Sequence, residues 1–250
     1  MLHQQTLTLL HALRLPGMAQ ALDEQQGVPD LAQLSFDERL ALLLQREQGA
    51  RDNRRLTRLL QLARLRVPAC VEDIDFRAKR GLDRPTVMRL ASGDWIRAHQ
   101  VTLIVGPTGT GKTWLACALG QSACRQGFTV RYVRVPRLLN EDLVRARADG
   151  SYGKLLQQLA KTELLILDDW GLASLGDRER RDVLEIVEDR TDRRATLVTS
   201  QIPVDHWHDL VGDPTFGDAI LDRLVHHAHR ITLTGASLRR IPTNTKTQSD

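Results

Sequence analysis

The sequence predicts an α/β protein in which a parallel sheet is flanked by helices and preceded by a small all-α domain. From residue 101 on, short apolar segments rich in β-branched residues alternate with helical segments, a pattern typical of strands joined by crossover helices. Before residue 68, apolar residues recur at helical spacing. We therefore expect a helical domain at 1–67 and an α/β domain at 68–241 that begins with a short linker. A polar tail at 242–250 is expected to be disordered.

The composition favours a folded cytoplasmic protein with a polyanionic partner. Of the 250 residues, 42% are hydrophobic and 4% aromatic, and the net charge is +4. The positive charge favours nucleic acid, whereas so few aromatic residues argue against binding by base stacking. No segment has the roughly 18 apolar residues of a membrane helix, and residues 1–14 do not resemble a secretory signal. Cys70, Cys117 and Cys124 lack disulfide or metal spacing and are expected to be reduced.

The helical domain carries a concentrated positive charge. Pro16-Gly17 and Gly27 with Pro29 divide the domain, and Ser35 with Glu38 forms a capping box that starts a longer helix. On that helix, positions i, i+3, i+4 and i+7 form what we call the arginine face: Arg51, Arg54, Arg55 and Arg58. Arg64 and Arg66 extend the charge. We expect this face to bind the phosphate backbone of DNA without reading its bases, the alternative being a solvated surface.

A nucleotide-binding loop follows the first strand of the α/β domain. Val101–Val105 is the expected strand, residues 106–113 spell G-x-x-x-x-G-K-T, and a helix follows. This order of strand, glycine loop and helix is the context that a P-loop requires, and it disfavours a chance glycine turn. Lys112 is expected to reach the β- and γ-phosphates of ATP, and Thr113 to bind Mg²⁺. The residues expected to cradle the nucleotide are Gly106, Pro107, Thr108, Gly109, Thr110, Gly111, Lys112 and Thr113.

Two carboxylates follow a second buried strand. Asp168 and Asp169 come directly after the apolar run 164–167. In P-loop enzymes, a carboxylate at this position holds Mg²⁺, so Asp168 is assigned that role. Asp169 is expected to orient the attacking water as a general base. Asp is shorter than the usual Glu, which favours slow turnover. The alternative is that the pair only begins a turn.

These motifs, with other segments along nearly the whole chain, resemble the IstB-type transposition helper ATPases in the DnaC/IstB branch of AAA+ ATPases. The segments that carry the resemblance are Arg80–Asp83, Asp94–Ile96, the P-loop, Leu165–Gly171, Thr199–Gln201 and Asp218–His226. The last is the most specific, since a generic P-loop protein is not expected to have it. The resemblance implies a bacterial, cytoplasmic AAA+ ATPase that forms homo-oligomers on duplex DNA and stimulates a transposase.

The resemblance also implies further site residues. Sensor I, which contacts the γ-phosphate, falls on Ser200 or Gln201, where many relatives have Asn. Arg223 lies where this branch places its arginine finger, which acts in trans on the ATP of a neighbouring subunit. The alternative for Arg223 is a local ion pair. Arg239 or Arg240 is a candidate for sensor II.

Two other functions remain as alternatives. A helicase loader of the DnaC type shares the ATPase core, but its N-terminal domain binds a helicase. A small-molecule kinase is disfavoured, because such enzymes usually carry the P-loop near the N-terminus, whereas about 100 residues precede it here. His206, His208, His226, His227 and His229 do not have the spacing of a zinc site.

Overall fold

The chain folds as two compact units, Met1–Arg58 and a larger one from Leu59 onward. The computed structural model describes residues 1–26, 33–78 and 80–238. The break at Gly27 and Pro29 and the polar tail at 242–250 lie outside these ranges. The units divide before the boundary that we expected at Pro68. The reason is that Leu59 and Ala63 are buried in the larger unit. No helix in the described ranges is long and apolar enough to cross a membrane.

The smaller unit is helical, as the apolar periodicity predicts. Its elements are α1 (Leu2–Ala12), α2 (Pro16–Gln25) and most of α3 (Phe36–Ala63). The capping box at the start of α3 is confirmed: Ser35 N donates to Glu38 Oε2 at 2.8 Å, and Glu38 N donates to Ser35 Oγ at 3.3 Å. Two donors at the helix start, which have no partner within the helix, are thereby satisfied.

Buried Glu47 organises the smaller unit. Its Oε2 accepts the backbone N–H groups of Gly17 and Met18 at 2.7 and 3.2 Å, so a side chain of α3 caps the start of α2. Gly17 allows this approach, because a Cβ there would lie 2.8 Å from Glu47 Cα. Oε1 accepts from Arg51 and Arg54 at 2.8 and 3.2 Å. Half of the arginine face therefore shares one buried carboxylate.

We expect Glu47→Gln to destabilise the smaller unit by about 1–3 kcal/mol, because the neutral amide leaves buried donors poorly satisfied. Burial raises the pKa of Glu47. The hydrogen bonds from Arg51, Gly17 and Met18 lower this pKa by more than burial raises it, so the net pKa lies below 4.5. The stabilisation is thus present above the unfolded-state pKa and is lost as pH falls through the lower folded-state value.

Hydrogen exchange of the α2 amides in the full chain measures this effect. The exposed Asp52→Asn change on the same helix serves as the control for loss of one negative charge. Equal protection of α2 in Glu47→Gln and wild type at pH 7 would contradict the prediction. So would a difference between the two proteins that persists undiminished at pH 3.

The larger unit is built on a five-stranded parallel sheet. The strands are β1 (Val101–Val105), β2 (Val130–Arg134), β3 (Leu164–Trp170), β4 (Ala195–Ser200) and β5 (His229–Thr232). Their order is β2-β3-β4-β1-β5, with every neighbouring pair parallel. The three inner strands β3, β4 and β1 are buried along almost their whole length, because helices cover both faces of such a sheet, whereas the edge strands β2 and β5 carry arginines and exposed positions. The α/β prediction is confirmed, and the α/β alternation follows from the crossovers that parallel strands need.

The helices of the larger unit form its outer layers and connections. They are α4 (Arg84–Ala91), α5 (Asp94–Arg97), α6 (Lys112–Arg125), α7 (Val135–Arg137), α8 (Leu143–Ala148), α9 (Tyr152–Lys161), α10 (Asp177–Arg190), α11 (Trp207–Val211) and α12 (Pro214–Val225). A π-helical turn, Leu138–Asp142, joins α7 to α8. The segment expected to be an extended linker contains a 3-10 turn, Val71–Asp73, and buries Ala69, Val71 and Ile74, so it packs as part of the unit.

The sheet sets the position of the site. Because the strands are parallel, their carboxyl ends lie along one edge, and ligands of open α/β sheets bind outside that edge. β1 ends at the P-loop, β3 carries Asp168 and Asp169 near its end, and β4 ends at Ser200. β1 and β4 are hydrogen-bonded neighbours, and β4 also pairs with β3. The topology thus brings together motifs that are far apart in the sequence.

Candidate nucleotide-binding site

The P-loop connects β1 to α6 through backbone conformations that favour glycine. Gly109 and Gly111 have φ values of +86° and +96°, in the left-handed region that side chains disfavour. Gly111 is the N-cap of α6, which begins at Lys112. The N-terminal amides and positive dipole end of α6 therefore face the loop, an arrangement that favours a bound phosphate.

A second backbone segment lies against the loop. Leu238 N donates to Gly109 O at 2.9 Å, and a Cβ on Gly109 would lie 2.0 Å from Ser237 Oγ. A Cβ on Gly106 would lie 2.3 Å from the carbonyl oxygen of Leu233. We call residues 233–238 the loop-packing segment. Two glycines of the motif are thus required by close packing as well as by loop conformation.

The Lys112 side chain curls back into the loop. Its Nζ donates to the carbonyl oxygens of Gly106 and Pro107, at 2.7 and 2.9 Å. Thr110 Oγ1 donates to the same Pro107 carbonyl at 2.9 Å. The ammonium group is therefore held inside the curve of the loop, where it can neutralise a phosphate.

A cavity of about 500 Å³ opens beside the loop. Its volume is in the range of small-molecule and cofactor pockets. The lining residues include P-loop residues, charged side chains from other elements, one tryptophan and one glutamine, namely Arg66, Thr108, Gly109, Gly111, Lys112, Thr113, Trp114, Arg134, Asp169 and Gln201. A cavity lined by a P-loop and several cations fits a polyanionic ligand such as a nucleoside triphosphate.

Asp168 is fully buried and held by hydroxyl groups. Thr113 Oγ1 lies 3.0 Å from both carboxylate oxygens of Asp168. Tyr132, from β2, donates its hydroxyl to Oδ2 at 2.5 Å, and Thr199, from β4, donates to Oδ1. Three strands and the start of α6 thus converge on one carboxylate.

The hydroxyl of Tyr132 remains a donor at all physiological pH values. Burial and the hydrogen bond to Asp168 raise the pKa of Tyr132 far above its ordinary value. The proton therefore stays on Tyr132, whose hydroxyl donates the hydrogen bond to Asp168 Oδ2. This fixes the orientation of Asp168 beneath the loop.

Asp169 has a different environment from its neighbour. Its φ is +64°, an unusual conformation for a non-glycine residue that costs of order 1 kcal/mol, and its N–H donates to Thr199 Oγ1 at 3.2 Å. Its Oδ2 accepts from Arg134 Nε at 2.9 Å and lies 3.7 Å from an Arg66 nitrogen. The side chain lines the cavity, but it is engaged with two cations. To act on a water molecule, Asp169 has to loosen these contacts.

The two sensor I candidates occupy different places. Ser200 is buried, and its hydroxyl donates to Trp170 O at 2.8 Å and accepts from Ile202 N at 3.0 Å. Gln201 lines the cavity, and its Oε1 accepts from Thr108 Oγ1 at 2.5 Å. The structure therefore brings the side chain of Gln201, and not that of Ser200, to the P-loop. Ser200 meets the loop only through its backbone, where its carbonyl oxygen accepts from Gly106 N at 3.1 Å.

Arg223 lies away from the P-loop. It is near the end of α12, where it donates to Ala219 O at 2.8 Å and to Glu188 at 3.0 Å. It lines a separate cavity of about 270 Å³ together with Gln100, Val101 and Thr196, at the starts of β1 and β4. Arg223 is therefore at the amino edge of the sheet, opposite the P-loop, and within this chain it forms the local ion pair that was the alternative to a finger.

Arg239 and Arg240, the sensor II candidates, lie outside the described residues. The histidines at 206, 208, 226, 227 and 229 form no metal-binding group, and no cluster of three or more metal-ligating side chains occurs elsewhere in the described ranges. His208 instead lies 3.3 Å from Asp218, and the His226 and His227 rings pack edge to face.

The donor set at Thr113 and Asp168 fits Mg²⁺ bound to a nucleotide. Mg²⁺ prefers hard oxygen ligands and keeps several of its waters, so one hydroxyl and one carboxylate suffice beside phosphate oxygens. When bound, the ion neutralises charge on the phosphates during their transfer. Thr113 and Asp168 would hold it, while Tyr132 and Thr199 fix the carboxylate that faces it.

Four side chains of the site escaped the sequence reasoning: Tyr132, Thr199, Arg134 and Arg66. Tyr132 and Arg134 alternate along β2, and Arg134 is in register with Asp168 on β3. Strand order was needed to see this contact, and the sequence motifs do not contain it. Thr199 was visible as part of Thr199–Gln201, but only the pairing of β4 with β3 shows that its hydroxyl meets Asp168.

Comparison with known proteins identifies the family. The family profile described as "IstB-like ATP binding protein" matches residues 8–247. An insertion sequence ATP-binding protein of Sinorhizobium fredii is 53% identical over 240 residues, which are 96% of this chain and 98% of that protein. The ATP-binding protein of insertion sequence IS1162 from Pseudomonas fluorescens is 56% identical over 81% of this chain and 88% of that protein.

Solved structures agree at the level of the fold. The DnaC helicase loader has a TM-score of 0.53 at 20% identity, over 60% of this chain and 86% of that one. DnaI has a TM-score of 0.59 at 21% identity, over 70% and 93% of the two chains. These likenesses confirm an AAA+ P-loop core. With its P-loop, its buried Asp168 and a family match along nearly its whole length, the chain belongs to the IstB-like ATP-binding proteins and is an AAA+ ATPase.

Proposed function

We propose that this chain is the ATPase of an insertion sequence, that it self-assembles on duplex DNA when ATP and Mg²⁺ bind, and that it assists a transposase. Its relatives are insertion sequence ATP-binding proteins by name, and they match over nearly their whole lengths. A helicase-loading role draws only on the likeness to DnaC and DnaI, which extends to the fold. The transposition role is therefore favoured.

The position of Arg223 is the observation that carries the assembly step. Arg223 and the P-loop lie at opposite edges of the sheet, separated by the length of β1. Five residues of strand span roughly 16 Å, too far for one side chain to reach across. In a head-to-tail assembly, however, Arg223 of one copy is free to approach the cavity of the next. Lys112 supplies positive charge to the phosphates bound in its own subunit, and Arg223 supplies positive charge to the phosphates bound in the neighbouring subunit.

Before Arg223 can contact a neighbouring ATP, its ion pair with Glu188 has to break. Glu188 binds Arg223 at 3.0 Å, and both side chains are partly exposed. An ion pair in this setting is weak, about 0–1 kcal/mol, so a neighbouring triphosphate can displace Glu188. The triphosphate carries more negative charge than one carboxylate. Assembly would thus exchange a local partner for an intersubunit one.

We expect Arg223→Ala to bind ATP like the wild type but to hydrolyse it about 10³-fold more slowly, the lower end of what an arginine finger contributes. Mixing Arg223→Ala with Lys112→Ala protein should recover part of the activity, because the Lys112 variant still offers its arginine to an intact ATP site. Phosphate release assays measure both results. No recovery in the mixture, with assembly intact, would contradict the trans role.

The arginine face supports the DNA-binding step. All four arginines of the face are exposed on α3, and two of them, Arg51 and Arg54, share the charge of Glu47. Each basic side chain on its own contributes little, but assembly would align many such faces along a duplex, so that weak contacts add. Because these contacts would be to phosphates, affinity should not depend on sequence and should fall with salt.

We expect Arg55→Glu combined with Arg58→Glu to abolish assembly on duplex DNA. Electron microscopy with ATP and Mg²⁺, with and without plain duplex, should show ordered assemblies of wild-type protein only with DNA. Loss of two phosphate contacts should also lower the salt slope of binding by about 2. The control is a second double variant, Arg178→Glu with Arg181→Glu, which makes the same change in charge at two exposed residues of α10. It should leave assembly intact.

Two results would count against this function. The variant that carries both Arg55→Glu and Arg58→Glu could bind DNA as well as the wild type does at physiological salt. That result would show that the arginine face is a solvated surface. Failure of the wild-type protein to assemble on DNA, with capture of a replicative helicase instead, would favour the loader.

A further inference from the structure

Arg66 lies between the end of α3 and the nucleotide site and contacts both candidate catalytic acids. Its guanidinium nitrogen is 3.9 Å from Asp168 Oδ2 and 3.7 Å from Asp169 Oδ2. The Tyr132 hydroxyl, Asp168 and Asp169 all act to raise the pKa of Arg66, so it is always charged. Its side chain is 43% exposed and lines the cavity beside Lys112.

The backbone around Arg66 is held on the P-loop helix. α3 ends at Ala63, and Arg64 turns the chain with a φ of +51°. Leu65 packs against Gly120 of α6, where an added Cβ would lie 3.0 Å from its Cδ2. The thiol of Cys117, also on α6, interacts with the backbone of Arg66 and Val67. The backbone is thus anchored, while the long side chain is partly in solvent and able to reorient.

Charge decides where this side chain lies when the site fills. In this structure the Asp168 and Asp169 carboxylates are the anions nearest to the Arg66 guanidinium, and Arg134 also binds Asp169. Thr113 and Asp168 would hold Mg²⁺, whose positive charge would disfavour the present place of the Arg66 guanidinium beside Asp168. The terminal phosphate of ATP meanwhile brings oxygens that a guanidinium can bind in a bidentate manner.

We propose that Arg66 is a phosphate-contacting residue that distinguishes ATP from ADP: with Mg-ATP bound, its guanidinium leaves Asp168 and Asp169 and donates to the terminal phosphate. The inference rests on the proposed ATP and Mg²⁺ site and adds to it. Two consequences follow. Departure of Arg66 weakens the cationic hold on Asp169, the candidate base. In addition, the chain that leaves α3 acquires a contact present only with the triphosphate.

The test is the ratio of ATP to ADP affinity in Arg66→Gln. Titrations of the full chain with fluorescent ATP and ADP analogues, in Mg²⁺ and without DNA, should show about a tenfold loss for ATP and less than a twofold change for ADP, because a charge-assisted bond to one phosphate is removed. Arg66→Lys should recover part of the ATP affinity. Arg64→Gln removes the same charge two residues away and should behave as wild type.

A second measurement tests whether Arg66 competes with Mg²⁺ for the two acids. Arg66→Gln should lower the Mg²⁺ concentration needed for half-maximal ATP binding, because a competing cation has left the acids. A purely electrostatic role would weaken ATP and ADP alike, and that result would overturn the inference while leaving the ATP site intact. Equal affinities in variant and wild type would overturn it too. Wild-type protein that binds neither nucleotide would overturn the proposed function itself.

Discussion

Lys112→Ala is expected to lower ATP affinity at least 10²-fold and to abolish detectable hydrolysis, since it removes a cation able to make charge-assisted bonds worth about 1.5–3 kcal/mol each to two phosphates. In this structure the ammonium group is held by the carbonyl oxygens of Gly106 and Pro107. Phosphate oxygens offer it stronger partners at short range. Isothermal titration with Mg-ATP measures the loss, and phosphate release measures turnover.

The control for this experiment is Lys154→Ala, which removes an exposed lysine of α9. It should bind and hydrolyse ATP as the wild type does. If nucleotide binding drives assembly on DNA, then assembly should fail for the Lys112→Ala variant and should proceed for the Lys154→Ala variant. ATP binding and assembly that survive in Lys112→Ala would contradict the assignment of this loop as the phosphate site.

Asp168→Asn is expected to reduce hydrolysis about 10²-fold or more while leaving the fold intact, because a metal-held phosphate contributes several kcal/mol to the transition state. The amide has the same shape but no charge, so it binds Mg²⁺ poorly. The Thr113, Tyr132 and Thr199 hydroxyls can rotate to accept from it or donate to it. Burying a neutral group also removes a desolvation penalty, so the melting temperature should not fall.

Turnover as a function of Mg²⁺ concentration, with a melting curve, measures this prediction. Asp209→Asn, at an exposed position on α11, controls for loss of a carboxylate. A variant that retains its wild-type Mg²⁺ dependence would show that the ion is held elsewhere. A large drop in melting temperature would instead make Asp168 primarily a structural residue.

Local patterns were enough to predict the frame of the molecule. β-branched runs gave the strands, the glycine loop gave the turn into α6, and Ser35 with Glu38 gave the start of α3. Each of these depends on residues within a few positions of one another. Their physical causes, such as capping and strand propensity, act over the same short range.

The contacts that complete the site act over a longer range. Arg134 and Asp169 meet because β2 and β3 are neighbours, and Arg66 arrives from a separate segment that packs on α6. Nothing in the local sequence encodes strand order. Glu47 shows the same limit, because its hydrogen bonds to Gly17 and Met18 depend on how α2 packs against α3.

The loop-packing segment has a consequence for the thermodynamics of nucleotide binding. A glycine-rich loop alone would lose much backbone entropy when it closes on a phosphate. Here Leu233, Ser237 and Leu238 already restrict Gly106 and Gly109 during folding, so less entropy remains to be lost when the ligand arrives. Substitutions in this segment should therefore weaken nucleotide binding through a more unfavourable binding entropy, with little change in enthalpy.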